Sequence, residues 1–366
     1  MKLRLVSHRL PLLVLFLALV PIALASSTWY VDGVNGSNKN DCKSPQTACK
    51  TIRHAISLAS SGDSIMIAAA IYKENLTINF SLKLIGAGAS TTIVDGRGIN
   101  SVIYAPPSSA HIALSNLTIR NGYSRGGAGI ANNEATITIS NSNISGNVAD
   151  DTSNNSPDGG GIYNGGTMTI NHTTVTRNIT INGYDGWGGG IYNGGTLTID
   201  NSTITENSGN NSYTYGGAIS NYGTLVINRS TLDRNSAPDG CGGGIDNEEG
   251  TLTINNSTIS LNVASEDGAG GGICNNSSAT VSINNSTLSG NSAAYGAGIS
   301  SVGTATFQNS IVGNSPKGEA NCAGTMTSNG YNLSSDDTCK FHNTGDLNST
   351  NPRLGRLQNN KRGPSP

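Results

Sequence analysis

The chain has 366 residues, of which 12% are charged and 48 are glycine, and its net charge is −2. Because the chain carries no basic excess, we expect no nucleic-acid partner. The small net charge also argues against a disordered chain, since disorder combines low hydrophobicity with high net charge.

The first 25 residues have the pattern of a secretory signal peptide. A basic start precedes an apolar run over residues 10–24, and a small-residue cleavage motif ends at Ala25. The alternative is a membrane anchor, but a span needs about 20 apolar residues, and this run contains Pro11 and Pro21. We therefore predict an exported product, secreted or at a bacterial cell surface, with no transmembrane segment in the mature chain.

Residues 26–63 are predicted to cap one end of the molecule. Apolar residues recur at helical spacing between Thr51 and Ser61, and Gly62 follows as a stop. Cys42 and Cys49 are close in sequence, and in an exported chain we expect them to form a disulfide. Short apolar runs with the character of strands follow, at 64–67, 76–78, 82–85 and 91–94.

A repeat occupies residues 127–307. Each copy has a Gly-rich GGGI, a TLTI-like run and an NSTI-like run followed by Asn. The isoleucine that ends each GGGI recurs every 26 to 32 residues, as Ile130, Ile162, Ile191, Ile219, Ile245, Ile273 and Ile299. A fixed period of this length indicates stacked units that bury their apolar faces against one another. The apolar runs are four or five residues long with period two, so the units are strands.

Three short strands per coil and right-handed connections predict an all-β, single-stranded, right-handed parallel β-helix over residues 26–340 with an N-terminal amphipathic helix cap. Equivalent residues should stack in columns. The apolar column is predicted as Ile144, Val175, Ile204, Leu232, Ile259, Leu288 and Ile311. One asparagine column is Asn147, Asn178, Asn207, Asn235, Asn262, Asn291 and Asn314, and another runs from Asn132 to Asn275. We expect stacked amides, with these asparagines at left-handed turns.

The C-terminal end is predicted as a cap over residues 315–340, closed by a disulfide between Cys322 and Cys339, with an irregular tail over 341–366. Cys241 precedes its GGGI isoleucine by four residues, whereas Cys274 directly follows its own. An offset of about five residues at roughly 3.3 Å each is too long for a disulfide between adjacent coils. We therefore predict two disulfides and two unpaired thiols.

Three parts of the sequence resemble known groups of proteins. The opening TWYVDGVNG…CKTIRHAISLASSGDSIMI…LKLIGAG…TTIVDGRG resembles pectate-lyase-like right-handed parallel β-helix proteins. The GGGIYN and ITEN repeats resemble those of polymorphic outer-membrane proteins. The end, from NSPKGEANC to GDLNSTNPRLGRLQNN, is similar to choice-of-anchor Q bacterial surface proteins. The first resemblance implies the fold, and the other two imply display at a cell surface.

Loops of variable length follow the Asn147 column and should emerge on one side of the rod, where binding residues usually lie. Trp187 and Tyr215 should stack one coil apart and form a platform for sugar rings. Further carbohydrate-binding candidates share these loops: Asp158, Tyr184, Tyr213 and Tyr295.

The same loops supply carboxylates at repeated positions. Asp185, Asp239 and Asp267 stand three residues before the first glycine of their coils, and they are the catalytic candidates. Spacings of roughly 5–10 Å between them fit glycoside hydrolysis, and a close pair could also hold Ca²⁺. Aspartate beside glycine is also ordinary turn chemistry. We therefore expect no required cofactor or metal.

The leading hypothesis is an exported, non-catalytic, adhesin-like protein that displays loops for contact with an extracellular polysaccharide or a cell-surface component. The alternative is a polysaccharide lyase or glycoside hydrolase that uses the three aspartates. A second alternative is an ice-binding solenoid, because threonine occupies one position of all seven repeats, from Thr136 to Thr304, and most of a second column.

Overall fold

The structure is a computed structural model that describes residues 26–152, 156–210, 212–265, 267–316, 318–355 and 357. The predicted signal peptide and the end of the predicted tail lie outside these residues. The described chain winds as a right-handed parallel β-helix, as predicted. Every named strand pair is parallel, because each strand pairs with its equivalent in the next coil.

Three long sheets run the length of the rod in the described part of the chain. The first has twelve strands: Thr28–Val31, Ser64–Ile67, Leu82–Gly86, His111–Ser115, Thr136–Ser140, Thr167–Asn171, Thr196–Asp200, Thr224–Asn228, Thr251–Asn255, Thr280–Asn284, Thr304–Gln308 and Thr327–Ser328. The second has eleven: Ala70–Tyr72, Thr92–Asp95, Thr118–Arg120, Asn143–Ser145, Thr174–Thr176, Thr203–Thr205, Thr231–Asp233, Thr258–Ser260, Thr287–Ser289, Ile311–Gly313 and Leu333–Ser334. The third has ten: Leu76–Thr77, Ile103–Ala105, Ile130–Asn132, Ile162–Asn164, Ile191–Asn193, Ile219–Asn221, Ile245–Asn247, Ile273–Asn275, Ile299–Ser301 and Cys322–Gly324.

Two smaller sheets lie in the segments that were predicted as loops of variable length. A six-stranded sheet is formed by Tyr123–Ser124, Val148–Asp150, Ile179–Ile181, Ser208–Asn210, Ser236–Ala237 and Val263–Ala264, and a two-stranded sheet by Asp185–Trp187 and Tyr213–Tyr215. The loops become strands because stacking in register continues beyond each turn asparagine. Small residues such as Ala149 and Ala237 point inward and are buried.

The repeat isoleucines pair in register from Ile130 to Ile299 and are fully buried, as predicted. The end of the apolar column was predicted wrongly. Leu288 pairs with Val312, not with Ile311, which pairs with Thr287. The copy that ends at Asn314 has one residue fewer between its buried strand residue and its asparagine. Counting back from the asparagine therefore gives Ile311 where the structure has Val312.

The two asparagine columns form hydrogen-bonded ladders through the core. Asn178 donates from Nδ2 to Oδ1 of Asn207 over 3.0 Å, and Asn164 donates to Asn193 over 2.8 Å. The buried ladder asparagines do not take the left-handed turn position that was predicted for them. In the Asn147 column the residue before each ladder asparagine takes it instead, for example Arg177 with φ 54°. Asn314 has this left-handed conformation and is exposed, so it does not continue the buried ladder.

The N-terminal cap contains a short 3₁₀ helix, Pro45–Thr47, and an α-helix, Ile52–Leu58. The Thr51 hydroxyl caps the α-helix by accepting from the His54 amide over 3.3 Å, and the Glu74 carboxylate accepts from the Ile52 amide over 2.9 Å. Ile52 and Ala55 are fully buried against the core. The helix therefore covers the apolar end of the rod.

All six cysteines form disulfides: Cys42–Cys49, Cys322–Cys339 and Cys241–Cys274. The first two were predicted, and the prediction that Cys241 and Cys274 are unpaired was wrong. Their Cα atoms are 5.8 Å apart because the chain turns back at Gly242, where φ is 72°. Distance along the chain therefore does not measure distance in space across this turn.

The packed part of the chain extends past the predicted C-terminal cap to Phe341, the first residue of the predicted irregular tail. Phe341 is buried, and its ring centroid lies 5.3 Å from that of Phe307. Within the described residues, no helix combines the length and apolar character needed to cross a membrane.

Candidate functional site

Five partly exposed aromatic rings lie side by side along the rod. Trp187 and Tyr215 stack with centroids 4.4 Å apart and ring planes at 17°, as predicted from the repeat. Tyr163 and Tyr192 stack at 5.2 Å, and Tyr222 continues this second row at 5.6 Å from Tyr192. Trp187 meets Tyr222 edge to face at 5.4 Å, so the two rows form one surface. We call these five residues the ring array.

The glycine turn between Trp187 and Tyr192 brings the two rows onto one face. Gly188 has φ of 67°, and a Cβ there would lie 2.0 Å from the carbonyl oxygen of Ile191. Only glycine fits so tight a turn. Sequence reasoning identified the Trp187 row but missed the Tyr192 row. The signal was the tyrosine that follows the isoleucine in two successive GGGIYN copies.

An open cavity of about 590 Å³ lies against the ring array. We call it the aromatic groove; its lining residues are Arg125, Ser156, Asp158, Tyr184, Asp185, Trp187, Tyr192 and Tyr222. Four of these residues are aromatic and four are polar or charged, so aromatic rings and hydrogen-bonding groups line the same open surface.

Two predicted acids occupy the aromatic groove. Burial raises the pKa of Asp158 to about 6, with the nearby Asp151 adding to the shift and Arg125 opposing it. Burial also raises the pKa of Asp185. Nε of Arg125 lies 2.9 Å from Oδ2 of the buried Asp151, so the guanidinium is already in an ion pair.

The other two predicted catalytic residues lie elsewhere. Asp239 and Asp267 are exposed and line a neighbouring cavity of about 560 Å³ together with Tyr184 and Tyr213, whose rings meet edge to face at 5.4 Å. The structure thus brings Asp239 and Asp267 together but places Asp185 with Asp158. Tyr295 shares a column with Tyr215, three coils along, and has 63% of its surface exposed.

A third acid pair follows the ring array along the axis and was missed from the sequence. Asp246 lies one coil beyond Ser220, which itself follows Tyr192 in the same column. The Asn276 amide donates to Asp246 over 3.2 Å and also to Glu248. Burial raises the pKa of Asp246 strongly, and Glu248 adds to the shift. The acidic run Asp246-Asn247-Glu248-Glu249 in an otherwise sparsely charged chain was the available signal.

Two clusters of three metal-ligating groups occur among the described residues: Cys42 with Cys49 and His54, and Cys241 with Asp246 and Cys274. In both, the sulfur atoms are engaged in disulfides, so neither offers thiolates. Asp239 and Asp267 belong to neither cluster, and Ca²⁺ binding there stays a prediction.

The threonine columns lie on the twelve-stranded sheet and pair in register, from Thr136 with Thr167 to Thr280 with Thr304. Their side chains are exposed or half-buried. They belong to a different sheet from the ring array, so they make no contribution to the aromatic groove.

The comparisons with known proteins concern the fold. No family model matches the sequence, and no curated protein matches it. The structure is similar to pectate lyase Pel9A, with a TM-score of 0.50 and 14% identity over 88% of this chain and 80% of that one. It also matches the GH136 lacto-N-biosidase from Eubacterium ramulus, with a TM-score of 0.40 and 13% identity over 82% and 67%. Pectin methylesterase PemA from Erwinia chrysanthemi gives a TM-score of 0.34 and 14% identity over 73% and 80%.

At these identities, the similarity to Pel9A shows a shared parallel β-helix fold. Fold alone does not determine activity, because unrelated functions occupy the same scaffold. Function has to be inferred from the residues of the aromatic groove.

Proposed function

We propose that this protein is an exported β-helix that binds an extracellular polysaccharide or a cell-surface glycan through the ring array. The observation that carries the proposal is the two joined rows of partly exposed rings. Exposed aromatic rings favour flat ligands with an apolar face, and a pyranose ring presents such a face of C–H groups. The polar groups beside the rings are available for its hydroxyls.

Export is supported by the predicted signal peptide and by three disulfides, because disulfides persist in oxidising compartments. The resemblance of the repeats to polymorphic outer-membrane proteins, and of the end to choice-of-anchor Q proteins, favours an adhesin-like role at a bacterial cell surface. The partner is then a polysaccharide or another component outside the cell.

Binding to a panel of insoluble and soluble polysaccharides tests this proposal. Wild-type protein should bind at least one glycan, and Tyr215→Ala should weaken binding about tenfold or more, which corresponds to about 1.4 kcal/mol. Tyr295→Ala is the matched control, because Tyr295 shares the column but lies outside the ring array, and it should bind as wild type. Equal loss in both variants, or no glycan bound, would contradict the proposal.

The second candidate function is cleavage of the bound glycan. It is favoured by Asp158, whose pKa of about 6 suits a general acid beside a sugar-binding surface. In hydrolysis the Asp158 proton would pass to the glycosidic oxygen as the C1–O bond breaks. Water would supply the hydroxyl to C1 and give its proton to the second carboxyl group. Asp185, which lines the same groove, is the second carboxyl group.

A reducing-end and unsaturated-product assay on the same panel tests cleavage. Activity should fall as pH rises above about 6, because Asp158 must be protonated, and Asp158→Asn should abolish it. Asp239→Ala and Asp267→Ala should retain activity, since these residues line the other cavity. Loss of activity in those two variants alone would move the catalytic site to that cavity.

A further inference from the structure

The charge around the aromatic groove restricts the kind of glycan it can hold. Its lining includes two carboxyl groups, Asp158 and Asp185, and among the described lining residues Arg125 is the sole cation. That guanidinium is paired with buried Asp151 at 2.9 Å. A polyuronate carries a carboxylate on every sugar unit and needs cations along its path. This groove offers it one cation, at one end, already paired.

The acids continue along the direction in which the rings run. The strand of Tyr192 pairs with that of Ser220, which pairs with that of Asp246, so the Asp246 and Glu248 pair lies two coils beyond Tyr192. Adjacent coils are about 4.8 Å apart, which is close to the length of one pyranose unit. Asp246 itself is fully buried, whereas Glu248 is half-buried. A glycan stacked on the ring array and following the axis therefore passes from aromatic rings to the Glu248 carboxyl group.

These carboxyl groups suit hydroxyls. Burial raises the pKa of Asp158 to about 6 and also raises the pKa of Glu248, because the surroundings disfavour negative charge. A further carboxylate brought by the ligand would add like charge to a partly desolvated site. Neutral sugar hydroxyls both donate to and accept from such groups without that cost.

We infer that the aromatic groove takes an uncharged hexose polymer that runs along the rod axis, and that it discriminates against polyuronates. This inference rests on the proposed glycan binding. On this inference, the chain shares the fold of pectate lyase Pel9A but binds an uncharged polymer and not pectate.

Calorimetric titration of the full mature protein with hexasaccharides of equal length tests the inference. The probes are cellohexaose, laminarihexaose and mannohexaose against hexagalacturonate, at neutral pH and fixed salt. At least one neutral hexamer should bind ten or more times more tightly than hexagalacturonate. Hexagalacturonate binding equal to or tighter than every neutral hexamer would overturn the inference while leaving glycan binding intact. No binding by any hexamer would overturn the proposed function as well.

A charge reversal provides the second measurement. Asp185→Lys should increase hexagalacturonate affinity at least fivefold, because it replaces a groove carboxylate by a cation. The matched control is Asp337→Lys, which makes the same change in net charge at an exposed residue of the C-terminal cap and should leave that affinity unchanged. Equal gains in both variants, or no gain in Asp185→Lys, would contradict a charge-selective groove.

Discussion

At the residue scale, Asp246 is a carboxyl group held in the interior. It is fully buried, one carboxyl oxygen accepts from Asn276, and the other has no hydrogen-bond partner. Burial without full pairing disfavours the ionised form. The folded state therefore retains a proton that the unfolded chain releases at ordinary acidic pH.

Replacement of Asp246 by asparagine should stabilise the protein at neutral pH. Because the folded pKa is raised, wild-type stability falls as pH rises above the ordinary aspartate value of 3.8. Asp246→Asn should raise the free energy of unfolding by about 1–3 kcal/mol at pH 7 and change it little at pH 3. Denaturant titrations at both pH values measure this, with exposed Asp337→Asn as control. A lower free energy of unfolding for Asp246→Asn than for wild type at pH 7 would contradict the conclusion that burial disfavours the ionised form of Asp246.

Asn207 belongs to the buried asparagine ladder, and its replacement should destabilise the folded protein. Its amide donates to Asn235 and to the Val175 carbonyl, each over 3.0 Å. Asn207→Ala should lower the free energy of unfolding by about 2–3 kcal/mol, because ladder groups lose their partners. Asn314→Gly, at an exposed position with left-handed backbone, should change it by less than about 0.5 kcal/mol. Similar losses in both variants would indicate that the ladder extends to Asn314.

At the element scale, the repeat predicts strands, register and the buried isoleucine and asparagine columns, because period and burial are encoded locally in each copy. It does not predict the frame shift at Ile311, which depends on one missing residue in the last copy. It also does not predict which loops become strands. The stack of Trp187 on Tyr215 follows from register alone, whereas the Tyr192 row joins it only through the three-dimensional path of the glycine turn.

The disulfide between Cys241 and Cys274 makes a clear prediction about the mature chain. All six cysteines are oxidised in the structure, so the denatured, unreduced protein should show no reactive thiol in a colorimetric thiol assay. The alternative expectation from spacing is two thiols per chain. Detection of two thiols, assigned by peptide mapping to Cys241 and Cys274, would show that the glycine turn does not bring these coils together.

At the scale of the whole molecule, the spacing of the stacked coils sets the spacing of the rings in the ring array. Ladder bonds join the coils that carry the rings, from Asn164 through Asn193 and Asn221 to Asn247, so the rings need no rearrangement to form a surface. The threonine columns of the twelve-stranded sheet form a separate regular surface. A thermal hysteresis assay tests the ice-binding alternative independently. If the columns bind ice, Thr198→Tyr should abolish the hysteresis.

Tryptophan quenching tests most directly whether the ring array is where a glycan binds. Trp29 is buried, with 8% of its surface exposed, whereas Trp187 is partly exposed in the aromatic groove, so acrylamide reports mainly on Trp187. A glycan that binds by calorimetry should protect Trp187 from acrylamide, and Trp187→Phe should remove that protection. A glycan that binds equally well while Trp187 stays fully quenchable would place the binding site elsewhere on the rod.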